Sequence, residues 1–589
     1  MSVPEVVAQY KTRIVQLQEE IDQVRGPSAV ALIVAVIAAV LFLALGLSAI
    51  RQEISFVVPL LTVPVFVFML RRFLALQRKI SRLVRSRTYY DRSIERVNGN
   101  WVRTGISGEE YVQPDHVFAH DLNVFGVGSL FELLCTVRTT IGQRGLADYL
   151  LGSPSLGEVM LRQQAIRELR ERADLREAVA TLGDYDFLQS SRQTFDEWLE
   201  TEPIAFAPWL RWVCAFTVVL AAAVLVAGAT SLVSWNQVAI LALPLAVFHA
   251  AVGLFYQERV NEMIASLRPM FQQTRVLGEG LALLEGMEVQ STKLRAIVEG
   301  VRGSGAAIAR LEPLLAVLEQ RDKEAFYLPT RAVLAGTQVC MLAERWRQLH
   351  GGHLREWLQA WADFEALNAL ATYAFENPTA IFPEFVDGPA FAATGLGHPL
   401  LPGAACVTND VALTPFYVVS GSNMSGKSTL LRSIGLNGVL AFAGAPVRAT
   451  AMRLSRLSIV ASLSVGDSLL NGKSKFMAEV DRLRQALELA AGKTPVLFLV
   501  DEIFSGTNSR DRRVAAEAVV RTLIERGAIG ALSTHDLALT EIAGVLGGAN
   551  VHMGSKDGSD PMDFDYRLKS GVTTEANALA IARMAGVPV

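Results

Sequence analysis

The feature that most restricts the fold of this chain is a set of four long apolar runs. Residues 29–50 form 22 consecutive positions without a charge, and residues 54–70, 212–233 and 237–255 are similarly apolar. A helix rises about 1.5 Å per residue, so about 20 apolar residues cross the hydrocarbon core of a bilayer. The runs form two pairs, and the members of each pair are separated by a short connection. The sequence therefore predicts two transmembrane helical hairpins, residues 29–70 and 212–255.

Basic residues next to the first hairpin predict its orientation. Between residues 71 and 87 there are seven basic side chains and no acid, namely Arg71, Arg72, Arg78, Lys79, Arg82, Arg85 and Arg87. Lysines and arginines favour the cytoplasmic side, so both flanks of the hairpin are expected there, with lipid headgroups as partners. A solvated helix face or a phosphate-binding patch are the alternatives for the basic run. For residues 212–255 the alternative is a pair of buried core helices.

Composition and pattern divide the rest of the chain. Residues 1–28 have apolar positions at spacings of three and four, which predicts an amphipathic helix, and residues 71–114 are expected to form a basic juxtamembrane linker. Residues 115–385 are helical in pattern and contain the second hairpin. After residue 386, short apolar runs such as FYVVSG and VLFLVDE alternate with helical segments, as in an α/β fold with a mostly parallel sheet.

Charge and cysteine content exclude some classes of protein. The formal net charge of −3 over 589 residues does not suggest a protein that coats nucleic acid. The four cysteines are far apart and form no CxxC pair, so neither a disulfide framework nor a zinc site is expected. Widely spaced cysteines fit a reducing compartment, and the C-terminal domain, residues 386–589, is expected in the cytoplasm.

A glycine-rich loop predicts a nucleotide site. The segment GSNMSGKS fits G-x-x-x-x-G-K-[ST] at every position, with an apolar strand before it and a helical pattern after it. Backbone N–H groups of such a loop surround phosphate oxygens, and the helix N-terminus adds positive charge. The lysine is expected at the β and γ phosphates and the serine at Mg²⁺. The predicted ATP-binding residues are Gly421, Ser422, Asn423, Met424, Ser425, Gly426, Lys427, Ser428 and Thr429.

Two further segments supply candidates for catalysis. The buried-type run VLFLV ends in Asp501 and Glu502. A carboxylate at the end of a neighbouring strand can hold the metal, and the next can activate water, so Asp501 is assigned to Mg²⁺, together with Ser428, and Glu502 to general base. His535 follows a third apolar stretch and is expected to sense the γ-phosphate. These segments make the C-terminal domain, residues 386–589, an α/β P-loop NTPase.

These motifs resemble the MutS family of ATPases. Residues 421–429, GSNMSGKST, are similar to the family's G-P-N-M-x-G-K-S-T loop, and residues 501–507, DEIFSGT, to its D-E-x-x-x-G-T segment. Residues 474–479, SKFMAE, are similar to S-T-F-M-x-E, and Thr534-His535 to the family's T-H element. Upstream segments beginning at Asp121 resemble the start of the family's core helical domain. The similarity covers residues 115–589.

The resemblance implies a dimeric ATPase with composite sites. It places Ser474 at the nucleotide of a partner subunit, assigns Asn423 a part in shaping the loop, and makes residues 115–385 an all-α core or lever domain. The expected protein is a homodimeric, membrane-anchored ATPase that uses ATP and Mg²⁺ to move helical levers. Three positions depart from the family: Cys406 is near the usual place of an aromatic ring for adenine, Lys475 replaces the usual threonine, and Arg512 replaces a common glycine.

DNA remains an open partner on sequence grounds. Mismatch-reading members of the family carry an F-x-E wedge that stacks into DNA, and the first 110 residues contain no counterpart. One alternative is an ABC-type transporter ATPase, although no LSGGQ-like segment lies between Gly426 and Asp501. The other alternative is a soluble DNA mismatch repair protein, which would require all four apolar runs to be buried in water-soluble cores.

Overall fold

The chain folds into two compact units. One consists of Met1–Thr136, Leu146–Ala180 and Ala366–Val589, and the other of Val137–Gly145 and Thr181–Glu365. The computed structural model describes residues 2–51, 54–55, 57–183, 192–230, 232–321, 330–331, 333–422, 424–463, 475–504, 508–556 and 563–573.

Two long helices begin the first unit. They are α1 (Val3–Ile50) and α3 (Val63–Val97), with the single turn α2 (Val57–Leu60) between them. Gln77 donates to Ser28 at 3.2 Å and Arg87 donates to Gln18 at 2.7 Å, so α1 and α3 run antiparallel. The basic segment expected to be a linker continues α3 as helix through Val97.

The amphipathic part of α1 buries one stripe of side chains. Val6, Tyr10, Leu17 and Ile21 are at most 3% exposed and pack with Leu83, Tyr90 and Phe375. Residues at these spacings lie on one face of a helix. The opposite face of this segment is exposed, and most of its residues are polar.

Four of the described helices are long and apolar enough to cross a bilayer. They are Val3–Ile50, Val58–Val97, Leu210–Ala229 and Trp235–Met270, and at most 17% of the most apolar window of each is buried by the rest of the chain. Large apolar side chains therefore point outward, among them Phe68 (61% exposed), Val247 (60%) and Phe255 (81%).

Further helices follow in the described part of the N-terminal two thirds. The first unit adds α4 (Leu130–Leu134), α6 (Leu156–Arg170) and α7 (Ala173–Ala180), and α5 (Thr140–Leu151) begins in the second unit and ends in the first. The second unit contains α8 (Arg192–Glu200), α9 (Leu210–Ala229), α10 (Trp235–Leu267), α11 (Phe271–Glu285), α12 (Thr292–Gly300) and α13 (Ser304–Arg321). The 42-residue α14 (Ala335–Glu376) follows.

A buried carboxylate holds the start of α5 within the second unit. Glu365 accepts the backbone N–H groups of Arg138 at 2.6 Å and Thr139 at 3.2 Å. Burial raises the pKa of Glu365 to about 7, against the opposing effect of these hydrogen bonds. The side chain therefore acts as a cap supplied by a distant part of the sequence.

Two sheets form the C-terminal part of the first unit. The smaller one contains β1 (Glu384–Phe385), β2 (Phe391–Leu396), β3 (Asn409–Ala412) and β5 (Ala451–Leu454), in the order β1-β5-β2-β3. The larger one contains β4 (Phe416–Ser420), β6 (Ser458–Ser462), β7 (Val496–Asp501), β8 (Ile529–Thr534), β9 (Ala549–His552) and β10 (Lys569–Ser570), in the order β10-β9-β4-β8-β7-β6. All its pairs are parallel except β9 with β10.

Helices alternate with the strands of the larger sheet, as expected from the sequence. They are α15 (Lys427–Ala443), α16 (Lys475–Ala490), α17 (Ser509–Glu525) and α18 (Glu541–Leu546). Phe416 and Phe498 from the central strands pack with Val520 of α17 in one buried cluster. Strands of a parallel sheet are covered on both faces, which is why their sequences are unbroken apolar runs.

Candidate nucleotide site

Three adjacent strands bring the predicted site residues to one edge of the sheet. β4 ends just before the phosphate loop, β7 ends at Asp501, and β8 ends just before His535. Ser420 lies opposite Thr534, and Asp501 lies opposite Ser533. Because the strands are parallel, their carboxyl ends lie together, where open α/β sheets bind ligands.

The phosphate loop has backbone positions that only glycine suits. Gly421 has φ +147°, and a Cβ added there would lie 2.3 Å from the carbonyl oxygen of Met553. Gly426, which begins α15, has φ +99°. A side chain at either position would strain the backbone or fill the space inside the loop. Because both residues are glycine, the loop can close around a phosphate with its backbone N–H groups.

Lys427 is almost completely buried, with 3% of the residue exposed. Its Nζ donates to the carbonyl oxygens of Gly421 and Ser422, each at 2.8 Å. Burial lowers the pKa of Lys427, and the carboxylates of Asp501 and Glu502 act in the opposite direction. The lysine thus lies inside the loop, where its ammonium group can contact a bound phosphate.

Serine hydroxyls complete this part of the site. Ser425 donates its hydroxyl to the Ser422 carbonyl at 2.8 Å, whereas the Ser422 hydroxyl is buried without a hydrogen-bond partner among the described residues. A buried hydroxyl of this kind is suited to a phosphate oxygen. Met424 is 55% exposed, so its side chain contributes little to the interior of the loop.

Asp501 lies against the first turn of α15. The hydroxyls of Ser428 and Ser533 both donate to its carboxylate. Oxygen atoms are the ligands that Mg²⁺ prefers, and a P-loop serine beside a strand-end aspartate supplies two of them. The donor set of Ser428 and Asp501 therefore fits Mg²⁺.

Glu502 and His535 form a pair across the ends of two strands. Glu502 has φ +51°, an unusual conformation for a glutamate, and its N–H donates to the Ser533 carbonyl at 3.1 Å. His535 Nδ1 lies 3.0 Å from Glu502 Oε1. The pair is partly exposed, with 29% of the Glu502 side chain and 50% of the His535 side chain accessible. Water can therefore reach the carboxylate.

A cavity of about 150 Å³ adjoins the phosphate loop at Gly426 and Thr429. Its other lining residues include His398, Asn409 and Tyr566. Burial, with help from two nearby arginines, lowers the pKa of His398 to about 4, so the ring is neutral at pH 7. His398 Nδ1 accepts the Leu400 N–H at 3.3 Å, which leaves the proton on Nε2.

Sequence reasoning assigned no role to these lining residues. They lie in segments that are far apart in the sequence, and no local pattern connects them. Asn409 joins the segments directly, since its Nδ2 donates to the Tyr566 carbonyl at 3.0 Å and its Oδ1 accepts the Leu568 N–H at 2.7 Å. Cys406 does not line the cavity but accepts the His398 N–H at 3.3 Å. Asn423 and Ser474 lie outside the described residues.

Known proteins resemble the part of the chain that holds this site. The family model of MutS domain V matches residues 417–589. DNA mismatch repair protein MutS from Natronomonas pharaonis is 32% identical over 247 residues, and the one from Lactobacillus delbrueckii subsp. bulgaricus is 29% identical over 254 residues. DNA mismatch repair protein MSH3 from Phaeosphaeria nodorum is 32% identical over 248 residues.

These matches cover about two fifths of this chain and less than a third of each relative. They span 40%, 41% and 40% of this chain, and 28%, 29% and 22% of the respective relatives. The matched domain contains the phosphate loop, Asp501, Glu502 and His535 at one sheet edge. Residues 417–589, which hold this site, are therefore similar to domain V of MutS proteins.

Proposed function

We propose that this protein is a membrane-anchored MutS-like ATPase that hydrolyses ATP with Mg²⁺ and couples hydrolysis to movement of its helical levers. One observation carries the proposal: Glu502, paired with His535, lies at the same sheet edge as Lys427 and Asp501. A phosphate-binding cation, metal-binding oxygens and a base beside them are the parts that ATP hydrolysis requires.

The residues divide the chemistry among them. The loop N–H groups, the Ser422 hydroxyl and Lys427 bind the phosphates, and Lys427 exchanges its two carbonyl partners for phosphate oxygens when ATP enters. Ser428 and Asp501 hold Mg²⁺, which when bound supplies positive charge next to the phosphates. Glu502 takes the proton of the attacking water, and His535 orients that carboxylate and faces the γ-phosphate.

The cavity beside the loop supports a place for the nucleotide base. Tyr566 offers an aromatic ring, and neutral His398 offers an Nε2–H donor. Aromatic rings bind bases by stacking, so Tyr566 takes over the role that Cys406 does not fill. The family resemblance places Ser474 at the nucleotide of a second subunit, and we extend the homodimer to this protein.

The outward-facing apolar helices support anchoring in a membrane. Four described helices have the length and composition of membrane spans, and their apolar side chains are not covered by the chain. With the basic end of α3 on the cytoplasmic side, the ATPase domain is cytoplasmic as well. The second hairpin lies between α8 and α11, within the predicted lever region, which suggests how nucleotide state reaches the membrane.

What the movement acts on is open to a direct test. The relatives are named DNA mismatch repair proteins, so DNA is the first effector to examine. ATP hydrolysis by the full-length protein in nanodiscs is measured alone and with perfect, mismatched and branched duplex DNA at low salt. We expect magnesium-dependent hydrolysis, and stimulation by one of these DNAs identifies a DNA-directed function.

Lys427→Ala gives the internal control for this experiment. Loss of hydrogen bonds from a charged donor costs about 1.5–3 kcal/mol, which lowers ATP affinity roughly 10- to 100-fold. Lys493→Ala, at an exposed position before β7, is the matched variant and keeps normal affinity. An intact preparation that binds no ATP, or a Lys427→Ala variant as active as the parent, contradicts the proposal.

A further inference from the structure

Two side chains from different helices hold the backbone at Phe504, just beyond the proposed base. The Glu479 carboxylate on α16 accepts the Phe504 N–H, and Arg512 Nε on α17 donates to the Phe504 carbonyl at 3.1 Å. Glu479 is 3% exposed and Phe504 is 7% exposed, so both contacts are shielded from water. One peptide segment is thus held from both sides.

The backbone from Glu502 to Phe504 has an uncommon conformation at two residues. Glu502 has φ +51° and Phe504 has φ +54°, both in the left-handed region that side chains other than glycine rarely adopt. Such conformations persist only where the surrounding structure imposes them. At Phe504, the N–H donates to the Glu479 carboxylate and the carbonyl accepts from Arg512, and both contacts help to hold this conformation.

Arg512 also reaches the loop that carries His535. Its Nη1 lies 3.9 Å from Asp536 Oδ2, and the two side chains are only 13% and 20% exposed. Asp536 in turn accepts the Ala538 N–H at 3.0 Å, which fixes the turn after His535. A single guanidinium therefore connects the loop of Glu502 with the loop of His535, whose side chains meet at 3.0 Å.

We propose that Arg512 and Glu479 are positioning residues that keep Glu502 and His535 aligned for hydrolysis. This inference rests on the proposed ATPase function. Glu479 acts through the backbone of Phe504, and Arg512 acts through the same backbone and through Asp536. Their loss therefore affects the chemical step and not the binding of ATP, which the phosphate loop supplies.

The test compares turnover with nucleotide affinity in full-length protein in nanodiscs. Misplacement of a catalytic group by about 1 Å costs up to roughly 100-fold in rate, so Arg512→Ala and Glu479→Ala are expected to lower kcat by about 10- to 100-fold with ATP affinity within about twofold of the parent. Glu479→Gln keeps an oxygen acceptor and loses less than Glu479→Ala. Arg521→Ala is the matched control, because Arg521 lies on the same helix and pairs only with Glu517 in the contacts described, at 2.7 Å.

A double-mutant cycle separates positioning from a general structural effect. In a Glu502→Gln background there is no base left to align, so Arg512→Ala should change the residual rate by less than about twofold. An equal loss of rate in both backgrounds, or a loss of ATP affinity that matches the loss of kcat, overturns the inference.

The same measurements distinguish the two proposals. If the parent protein hydrolyses ATP and both alanine variants turn over at its rate, the positioning role is wrong and the ATPase function stands. If the parent binds ATP but hydrolyses none, the ATPase function is wrong and the positioning role falls with it.

Discussion

Glu502 is the residue on which the chemistry of the proposed site depends most. It combines a left-handed backbone, a hydrogen bond to the opposite strand and a partner in His535. Asp501, one position earlier, instead faces the Ser428 and Ser533 hydroxyls. Two adjacent carboxylates thus have different surroundings, which supports different roles for them.

Glu502→Gln tests the base directly. The amide keeps the size of the side chain and leaves Ser428 and Asp501 intact, so ATP should still bind. Without the carboxylate, general-base catalysis is lost and kcat should fall by about 10²- to 10⁴-fold. Single-turnover hydrolysis and equilibrium binding of ATP measure the two quantities separately, and turnover at the parent rate would show that another group accepts the proton.

Glu365 makes the stability of the second unit depend on pH. Its pKa of about 7 in the folded protein lies above the usual value of a glutamate, so between about pH 4.5 and 7 the folded state holds a proton that the unfolded chain has lost. Stability is therefore highest below this window and decreases as pH rises through it. Glu365→Gln cannot ionise and should therefore abolish the decrease in stability between pH 5 and pH 8.

Thermal unfolding of the detergent-solubilised protein at pH 5 and pH 8 provides the measurement. Glu356→Gln, at an exposed position on the same helix α14, is the control and should leave the pH dependence unchanged. If Glu365→Gln and the parent respond to pH in the same way, the buried carboxyl is not the titrating group.

At the scale of elements, a buried ion pair attaches α3 to the end of α14 within the first unit. Arg96 Nη2 lies 2.6 Å from Glu376 Oε1, and Arg96 Nε donates to Oε2 at 2.6 Å. The Tyr10 hydroxyl donates to the same carboxylate at 3.3 Å, so α1 joins the contact. The helices that lead to the first apolar hairpin are therefore fastened to the end of the proposed lever helix.

Arg96→Ala should weaken this attachment strongly. It leaves Glu376 buried without its cation, which costs about 3–5 kcal/mol of folding free energy. Arg25→Ala removes an exposed pair on α1, whose side chains are 63% and 56% accessible, and should cost less than about 1 kcal/mol.

Protease sensitivity of the α1–α3 pair and the midpoint of denaturant unfolding report the effect. Replacing both partners with apolar residues, Arg96→Met with Glu376→Leu, should restore most of the loss, because no buried charge is then left alone. Equal costs for Arg96→Ala and Arg25→Ala would mean that the buried pair does not hold the helices together.

At the scale of the whole molecule, the exposed apolar surface requires a covering. Soluble monomers rarely expose contiguous apolar patches of more than a few hundred Å². The four candidate spans expose large apolar side chains along their most apolar stretches. The proposed anchoring in a bilayer would provide this covering, because the helices have the length and composition of membrane spans.

An arginine in the second hairpin tests that covering. Val247, near the middle of the fourth apolar run, is 60% exposed, and Val247→Arg would cost about 2.5–3.5 kcal/mol in a bilayer. We expect less protein in the membrane fraction that resists alkaline extraction. Met160→Arg, at a 52% exposed site on α6, should have no such effect. Equal membrane recovery of both variants, or release of the parent by alkali, would indicate that this hairpin does not span the bilayer.

Several features follow from the sequence because they depend on neighbouring residues alone. Apolar runs predict helices that can span a membrane, and a glycine-rich loop between strand and helix predicts a phosphate site. Asp501, Glu502 and His535 could be named because each follows an apolar strand, and the ends of parallel strands share one edge.

Other features were decided only by the tertiary structure. Strand order and crossovers bring His398 and Tyr566 to one cavity, place Glu479 and Arg512 around Phe504, and set Arg96 against Glu376. No local pattern encodes these contacts, because each joins segments that are far apart in the chain. The physical reason is that periodicity reports which face of an element is apolar, whereas the choice of partner depends on how all the elements pack together.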